Sequence, residues 1–421
     1  MLPKVLVTFI SKFLAAVFSF LIVIITSKLI GAEGRGEISL FVLGITLSLL
    51  LNNIIGGSAL VLLASDKKPL QLLIPSYLWA IVSSILIPIT LLATTNISYH
   101  LLYHIFFISL IQSLGSVNLN LFLGLKKYYL FNIINLLQVL VLFTVISVFM
   151  FLLDMRTVSD YITAMYISFI LQTLSTYWFL IKFINLEFTL EFRSTIRSIL
   201  NLGVIIQVCN IVQLLNYRFA YFILEKELGI GILGVFATAT ALAESVWLIS
   251  KSISMIQYAE IAGSKDKTIA RRSTIRFAKL SLAASTIIYI PLLFIPENIF
   301  AFIFGVEFKE IGTQVILFSP GILAFSFSTI LAHYFAGFGR NSINLLISSV
   351  GLLMTIVLSV VLIPSMGING AAISVSSSYI GTTILYLVIF KQDVGLKLRE
   401  LIPKVSDFQL FAYELKKITK K

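Results

Sequence analysis

Charge is scarce in this chain. Of its 421 residues only 12% are Asp, Glu, Lys or Arg, against about 25% in ordinary soluble domains. That is too little to cover a water-exposed surface of this size. Acidic residues are the rarer kind, 19 against 31 Lys+Arg. Cysteine is nearly absent: Cys209 stands alone, so an intramolecular disulfide cannot form. His100, His104 and His333 form no His/Cys cluster with zinc-ligand spacing. There is no G-x-x-x-x-G-K-[ST] loop and no nucleophile elbow, which removes a built-in ATPase and a serine hydrolase. Together these absences exclude a soluble multidomain enzyme, a disordered chain and a disulfide scaffold. No enzyme activity and no cofactor are expected.

Apolar residues are abundant instead, at 58%, with Phe (34) the main aromatic. Lipid is the solvent that suits them. A helix needs about 20 apolar residues to cross a hydrocarbon layer of roughly 30 Å. By that measure twelve spans are expected, near 5–27, 37–63, 70–93, 98–123, 130–153, 159–183, 198–224, 229–256, 274–296, 311–336, 342–363 and 368–390. The breaks between them include Gly31 to Gly36, Asp66 to Pro69, Thr94 to Asn96, Lys126-Lys127 and Asp154 to Arg156. The runs are continuous rather than alternating, which points to helices and not to a barrel. The first run is too long, with too little small-residue cleavage character, for a removed signal peptide.

With the N-terminus placed inside, twenty-two loop cations fall on the inner side. The five on the outer side are Lys28, Arg35, Arg156, Lys226 and Lys309. Cytoplasmic loops concentrate Lys and Arg in this way. The net charge of +12 therefore reports topology and not nucleic-acid binding. A multi-pass protein of a bacterial cytoplasmic membrane with both termini cytoplasmic is expected. The stretch 392–421 reads as a basic, partly amphipathic tail, interrupted at Pro403.

Internal repetition is visible. Lys28, Gly31 and Gly36 recur as Lys226, Gly229 and Gly234 at an offset of 198 residues, and Gly124 and Lys127 recur as Gly337 and Arg340 at 213. A 6+6 duplication follows, with bundles 1–185 and 186–391. Six is even, so the halves enter from the same side and are parallel, with a central cavity expected between them. Two such bundles in one chain suit rocking and alternating access more than a channel.

Ionisable residues inside apolar helices are site candidates by default. Lys12 in span 1, Arg218 in span 7, and Glu244 and Lys251 in span 8 qualify. Lys12 and Arg218 lie near enough to span ends to snorkel, so an interfacial role stays open for both. Glu244 lies too deep for that, and protonation, a wet cavity or a bound cation would satisfy it. Lys251, seven residues on, is expected on the same helix face. Span 7 adds Gln207, Asn210, Gln213 and Asn216 at three-residue steps, a slowly winding polar stripe. Interhelical hydrogen bonding explains any one amide; four in a row beside Arg218 suggest a cavity lining. Asn52, Asn53, Gln112, Asn118 and Asn120 form a weaker set, and the histidines suit interfacial packing or proton relay.

The motifs have a familiar look. Gly31-Ala-Glu-Gly-Arg-Gly-Glu37, with Gly31, Arg35 and Gly36 at its fixed positions, resembles the G-x-x-G-R-G-x turn of the polysaccharide flippases. These are the Wzx-type O-antigen and capsule flippases of the multidrug/oligosaccharidyl-lipid/polysaccharide exporter superfamily. Ala241-Leu-Ala-Glu-Ser-Val-Trp247, Gly337-Phe-Gly-Arg340 and Ile363-Pro-Ser-Met-Gly-Ile-Asn-Gly-Ala-Ala372 resemble further elements of that family. Gln257-Tyr-Ala-Glu260 departs from it by lacking a proline often found there. The resemblance implies an undecaprenyl-pyrophosphate-linked oligosaccharide as cargo. Lys12, Arg218 and Lys251 would then meet the diphosphate, and Gln207, Asn210, Gln213 and Asn216 the sugars. Glu244 would carry H+ or Na+ as coupling ion, or balance a nearby cation. The bilayer and a polysaccharide polymerase would be partners. A multidrug/organic-cation antiporter, a lipid II flippase and a non-transporting scaffold remain the alternatives.

Overall fold

The computed structural model describes residues 2–94, 99–183, 192–264, 266–395 and 398–401. The expected tail lies for the most part outside them, beyond Leu401. Among the described residues there are thirteen α-helices and no strand. In order they are α1 (Leu2–Gly56), α2 (Ser58–Leu63), α3 (Pro69–Thr94), α4 (Tyr99–Gly124), α5 (Tyr128–Ser147), α6 (Val158–Phe183), α7 (Phe192–Leu228), α8 (Ile230–Ser245), α9 (Trp247–Ser264), α10 (Lys267–Leu293), α11 (Glu297–Phe304), α12 (Ile311–Gly337) and α13 (Asn341–Val394). This is an all-α, polytopic membrane protein. Eight helices among the described residues are long and apolar enough to cross a bilayer, or nine if α8 and the start of α9 form one span.

Two of the eight carry apolar segments of 54 residues each, which would measure about 80 Å at helical rise. No bilayer is that thick, and both helices are broken. Gly31 in α1 has φ 88° and ψ −179°, and Gly367 in α13 has φ 61° and ψ −140°. Such angles are open to glycine and costly for other residues. The break is narrower than expected, however. Gly31 to Gly36 was read as a loop, yet only Gly31 leaves the helix and Arg35 lies inside it. One residue with positive φ redirects the chain, so no loop is needed.

The chain divides into two compact units. The first comprises residues 1–241 and 297–311. Its core is formed by two apolar clusters, one around Phe41, Ile105, Ile108 and Met150 and one around Leu72, Val117, Phe122 and Ile199. The second comprises residues 242–296 and 312–421, with a core around Ile330, Tyr334, Phe335, Ile347 and Phe390. These proximity units do not coincide with the bundles 1–185 and 186–391, which remain an expectation about duplication.

Local backbone geometry repeats at the two sequence offsets. Gly31 and Gly229 share φ near +88°, at 88° and 87°. Inside the first unit, a Cβ on Gly36 would sit 2.0 Å from the Ile230 carbonyl oxygen, and one on Gly234 would sit 1.9 Å from that of Ala32. Ala32 and Ile230 are themselves 198 apart, so the contact is reciprocal, as in an isologous interface. At offset 213, α4 and α12 end in the same Schellman turn. Lys127 N donates to Phe122 O at 2.8 Å and Arg340 N to Phe335 O at 2.8 Å. The residues before them, Lys126 (φ 61°) and Gly339 (φ 73°), are both left-handed. Asp154 (φ 55°) and Gly367 (φ 61°) correspond likewise.

The offsets differ by 15 residues, which is the length of the segment 297–311 that clusters with the first unit. This insert packs Phe300, Phe304 and Phe308 inward. Its Glu307 accepts a hydrogen bond from the freed N–H of Ala32, and the Phe302 carbonyl accepts one from Lys28 Nζ at 2.9 Å. A Cβ on Gly229, the counterpart of Gly31, would meet nothing within 4 Å among the described residues.

Lys126 pays for a conformation that Gly339 adopts freely. Lys126→Gly is expected to stabilise the protein by about 1 kcal/mol and Gly339→Lys to destabilise it by about the same. Thermal unfolding of the purified protein in detergent measures both, and opposite signs are the expected result.

Candidate functional site

Lys12, the span 7 amides and Arg218 belong to the first unit; Glu244 and Lys251 belong to the second. Lys12 is exposed on α1. On α7 the amide stripe alternates in burial as a winding stripe should: Gln207 and Asn216 are buried, Gln213 is intermediate and Asn210 is exposed. Asn210 Nδ2 donates to Gln207 Oε1 at 3.0 Å, so the first two amides bond each other one turn apart. Arg218 is half-buried two residues beyond Asn216. Its Nη1 donates to the Tyr217 carbonyl at 3.4 Å, and its guanidinium lies 5.3 Å from the ring centroid of Tyr221.

Glu244 occupies the last turn of α8, half-buried, just before the break at Val246. The carbonyl end of a helix favours positive charge, so the carboxylate sits where a cation would be welcome. Lys251 was expected on the same helix face as Glu244. The break between α8 and α9 removes the continuous helix on which that argument depended. Lys251 is exposed, with Nζ 5.8 Å from the Trp247 ring centroid. Trp247 itself is core: its ring packs on Phe325 at 4.2 Å and Tyr379 at 5.4 Å, and its Nε1 donates to the Ile322 carbonyl at 3.3 Å. α9 runs unbroken through 257–260, a stretch without proline.

Several weaker candidates are structural. Asn118 Nδ2 donates to Thr176 Oγ1 at 3.0 Å, and Tyr77 donates to Asn118 Oδ1. Asn120 Nδ2 donates to the Gly56 carbonyl at 2.8 Å. Asn52 is different, fully buried with both amide atoms lacking a hydrogen-bond partner in the structure. His104 bonds Tyr166 through Nδ1 at 3.0 Å and His100 through Nε2 at 3.3 Å, a local interfacial cluster. His333 Nδ1 bonds the Thr329 carbonyl at 2.8 Å.

Gly337 and Arg340 are an anchor. A Cβ on Gly337 would lie 2.8 Å from Ile261, so the small residue permits close packing there. Arg340 Nη1 donates to Asp393 Oδ1 at 2.8 Å while Tyr334 donates to Asp393 Oδ2 at 2.6 Å. Arg271 extends the network to Glu400 at 2.6 Å and to the Val394 carbonyl at 3.1 Å.

Two residues, Asp393 and Lys279, escape the sequence reading, and a third, Arg35, is named there but placed in a loop. Asp393 was taken as part of the tail, and only the fold brings it to Arg340. Lys279 lies buried in α10, 7% exposed, and its position within an apolar span was the available signal. Arg35, expected among the outer loop cations, is 9% exposed, with Nε buried and lacking a hydrogen-bond partner.

No protein-family model matches the chain. Its fold is similar to a multidrug resistance MATE family transporter of the MOP superfamily in an inward-facing conformation, with TM-score 0.75, 14% identity, and coverage of 90% of this chain and 94% of that one. It is similar as well to the lipid II flippase MurJ in an inward closed conformation, with TM-score 0.73, 14% identity, and coverage of 94% and 89%. Over 221 residues the sequence is 24% identical to the capsular polysaccharide biosynthesis protein CapF of Staphylococcus aureus. That match spans about half of each protein, 51% of this chain and 55% of the relative. The fold is that of MATE-like transporters, and both structural neighbours are transporters rather than enzymes.

The Arg340–Asp393 pair is partly solvated, with side chains 39% and 14% exposed. Arg340→Ala and Asp393→Ala are each expected to cost about 1 kcal/mol. The double variant should cost little more than the worse single one. A double-mutant cycle of thermal unfolding in detergent checks this, and full additivity would contradict the pairing.

Proposed function

We propose that the protein moves an anionic, lipid-linked oligosaccharide across the cytoplasmic membrane by alternating access, as a flippase. The observation that carries this reading is the sign of the charge inside the apolar helices. Lys12, Arg218, Lys251 and Lys279 are cations well inside the helices, and Glu244 is the carboxylate set against them; Arg35, near the start of its helix, has Glu33 and Glu37 two residues to either side. A cation in mid-membrane costs at least about 2.5 kcal/mol on insertion scales, and a diphosphate headgroup is a cargo that offsets this cost. The amides of α7 offer donors and acceptors to sugar hydroxyls. An undecaprenyl-pyrophosphate carrier and a capsule-type or O-antigen-type glycan fit these groups. The partial likeness to a capsular polysaccharide biosynthesis protein supports that direction.

The topology we assign has twelve crossings, with each glycine-broken helix taken as two spans, α8 and α9 as one, and α7 as another. Both termini lie in the cytoplasm, and a polysaccharide polymerase acts on the delivered cargo. Glu244, at the carbonyl end of α8, takes the coupling H+ or Na+. An organic-cation antiporter is the rival that the MATE-like fold brings forward; its binding groups would be acidic or aromatic, opposite in sign to most of those found.

The test is complementation in the host strain. Arg218→Ala and Glu244→Gln are expected to cut surface polysaccharide at least tenfold at unchanged protein level, with lipid-linked precursor accumulating on the inner leaflet. Full polysaccharide in both variants, or resistance to cationic drugs lost in its place, would overturn the reading.

A further inference from the structure

Of the five cations assigned to the outer side, Arg35 alone is buried. Lys28, Lys226 and Lys309 are exposed. Arg156 pairs with Asp154 at 2.7 Å, Lys309 with Glu297 at 3.4 Å, and Lys28 donates to the Phe302 carbonyl. Arg35 forms no ion pair among the described residues, although Glu33 and Glu37 are two residues away on either side. Its Nε is sealed from water without a hydrogen-bond partner. One edge of the guanidinium is thus desolvated without compensation, while its terminal nitrogens keep some access to the outside and could receive an anion.

Packing does not demand a cation at this position. The repeat places Leu233 at the counterpart of Arg35, 198 residues on, and Leu233 is fully buried. The same hairpin geometry, closed by the reciprocal Gly36 and Gly234 contacts, is thus built once around leucine and once around arginine. A side chain kept for packing alone would be apolar in both.

The surroundings point to the ligand's charge. The electrostatic neighbours of Arg35 are the phenol groups of Tyr161 and Tyr221, both buried. Tyr221 also carries Arg218 over its ring at 5.3 Å. Tyr221 therefore lies under Arg218 and also within the electrostatic reach of Arg35, both in the first unit. Guanidinium binds phosphate oxygens through paired, charge-assisted hydrogen bonds, and two of them match a headgroup with more than one negative charge.

We propose that Arg35, together with Arg218 across Tyr221, is a receptor for the phosphate oxygens of a lipid headgroup. This rests on the flippase reading and deepens it, because it assigns the anionic end of the cargo to the Gly31–Gly36 end of the second helix in α1. The shared chemistry is a phosphate ester on a lipid, whether the carrier's diphosphate or an anionic phospholipid.

The test uses the full chain purified in an alkyl maltoside, which contains no phosphate. Undecaprenyl pyrophosphate, phosphatidylglycerol and inorganic pyrophosphate are titrated separately against wild type, Arg35→Met and Arg35→Lys. Arg35→Met is expected to lower affinity for the lipid phosphate at least tenfold while the unliganded Tm stays equal or rises. Arg35→Lys should keep the Tm and lose affinity in part, since it keeps the charge but not the fork. If Arg35→Met fails to fold, Arg35→Lys decides the matter: an affinity unchanged from wild type overturns the proposal. A lowered Tm with unchanged affinity in Arg35→Met overturns it also. Should phosphatidylglycerol alone bind through Arg35, the receptor stands and the flippase reading falls. If undecaprenyl pyrophosphate binds wild type and Arg35→Met equally, the flippase reading stands and the receptor falls. Binding of inorganic pyrophosphate alone rejects a lipid ligand.

Discussion

Two backbones meet where Gly36 faces the Ile230 carbonyl and Gly234 faces that of Ala32. Each approach leaves no room for a side chain, so the crossing exists only because both residues are glycine. Small residues that let backbones approach are a general means of joining helices in lipid, where no hydrophobic force separates helix from tail. Much of the first unit follows from this contact. It sets the second helix of α1 against α8, buries Arg35 one residue before Gly36, and fixes the direction of the chain after the break at Gly31.

The same crossing joins positions that the sequence offset relates. Equal offsets tie its four residues together, and the Schellman turns after α4 and α12 repeat bond for bond at the second offset. The segment 297–311 equals in length the difference between the two offsets. It caps the helix after Gly31 through Glu307, whereas Gly229 stays open. The two hinge segments differ in this cap, and Leu233 stands 198 residues after Arg35.

Much of the fold was legible in the sequence because lipid imposes a simple code. Long apolar runs, glycine and charged breaks, and the skew of Lys and Arg yield helices and their approximate limits. Glycine spacing revealed the repeat before any conformation was known. Burial was not legible. Gly34-Arg35-Gly36 has the composition of a turn, and nothing local says that one glycine is enough to bend the chain and keep the rest helical. The face argument for Glu244 and Lys251 loses its continuous helix for the converse reason: the helix breaks at Val246, with no glycine or proline beside it to announce the bend. Asp393 found Arg340 through tertiary contact between residues 53 apart, beyond the reach of periodicity. The amides of α7 were visible as a stripe, but the bond between Gln207 and Asn210 required side-chain geometry.

The central claim is that the cargo is an anion carried on a lipid. The most direct measurement reconstitutes the protein in vesicles with a polyprenyl-pyrophosphate lipid bearing a fluorescent sugar headgroup, and follows its exposure to a membrane-impermeant quencher. The account predicts translocation well above that of protein-free vesicles, and no uptake of an organic cation such as ethidium under the same gradients. Cation uptake with a stationary lipid would contradict it.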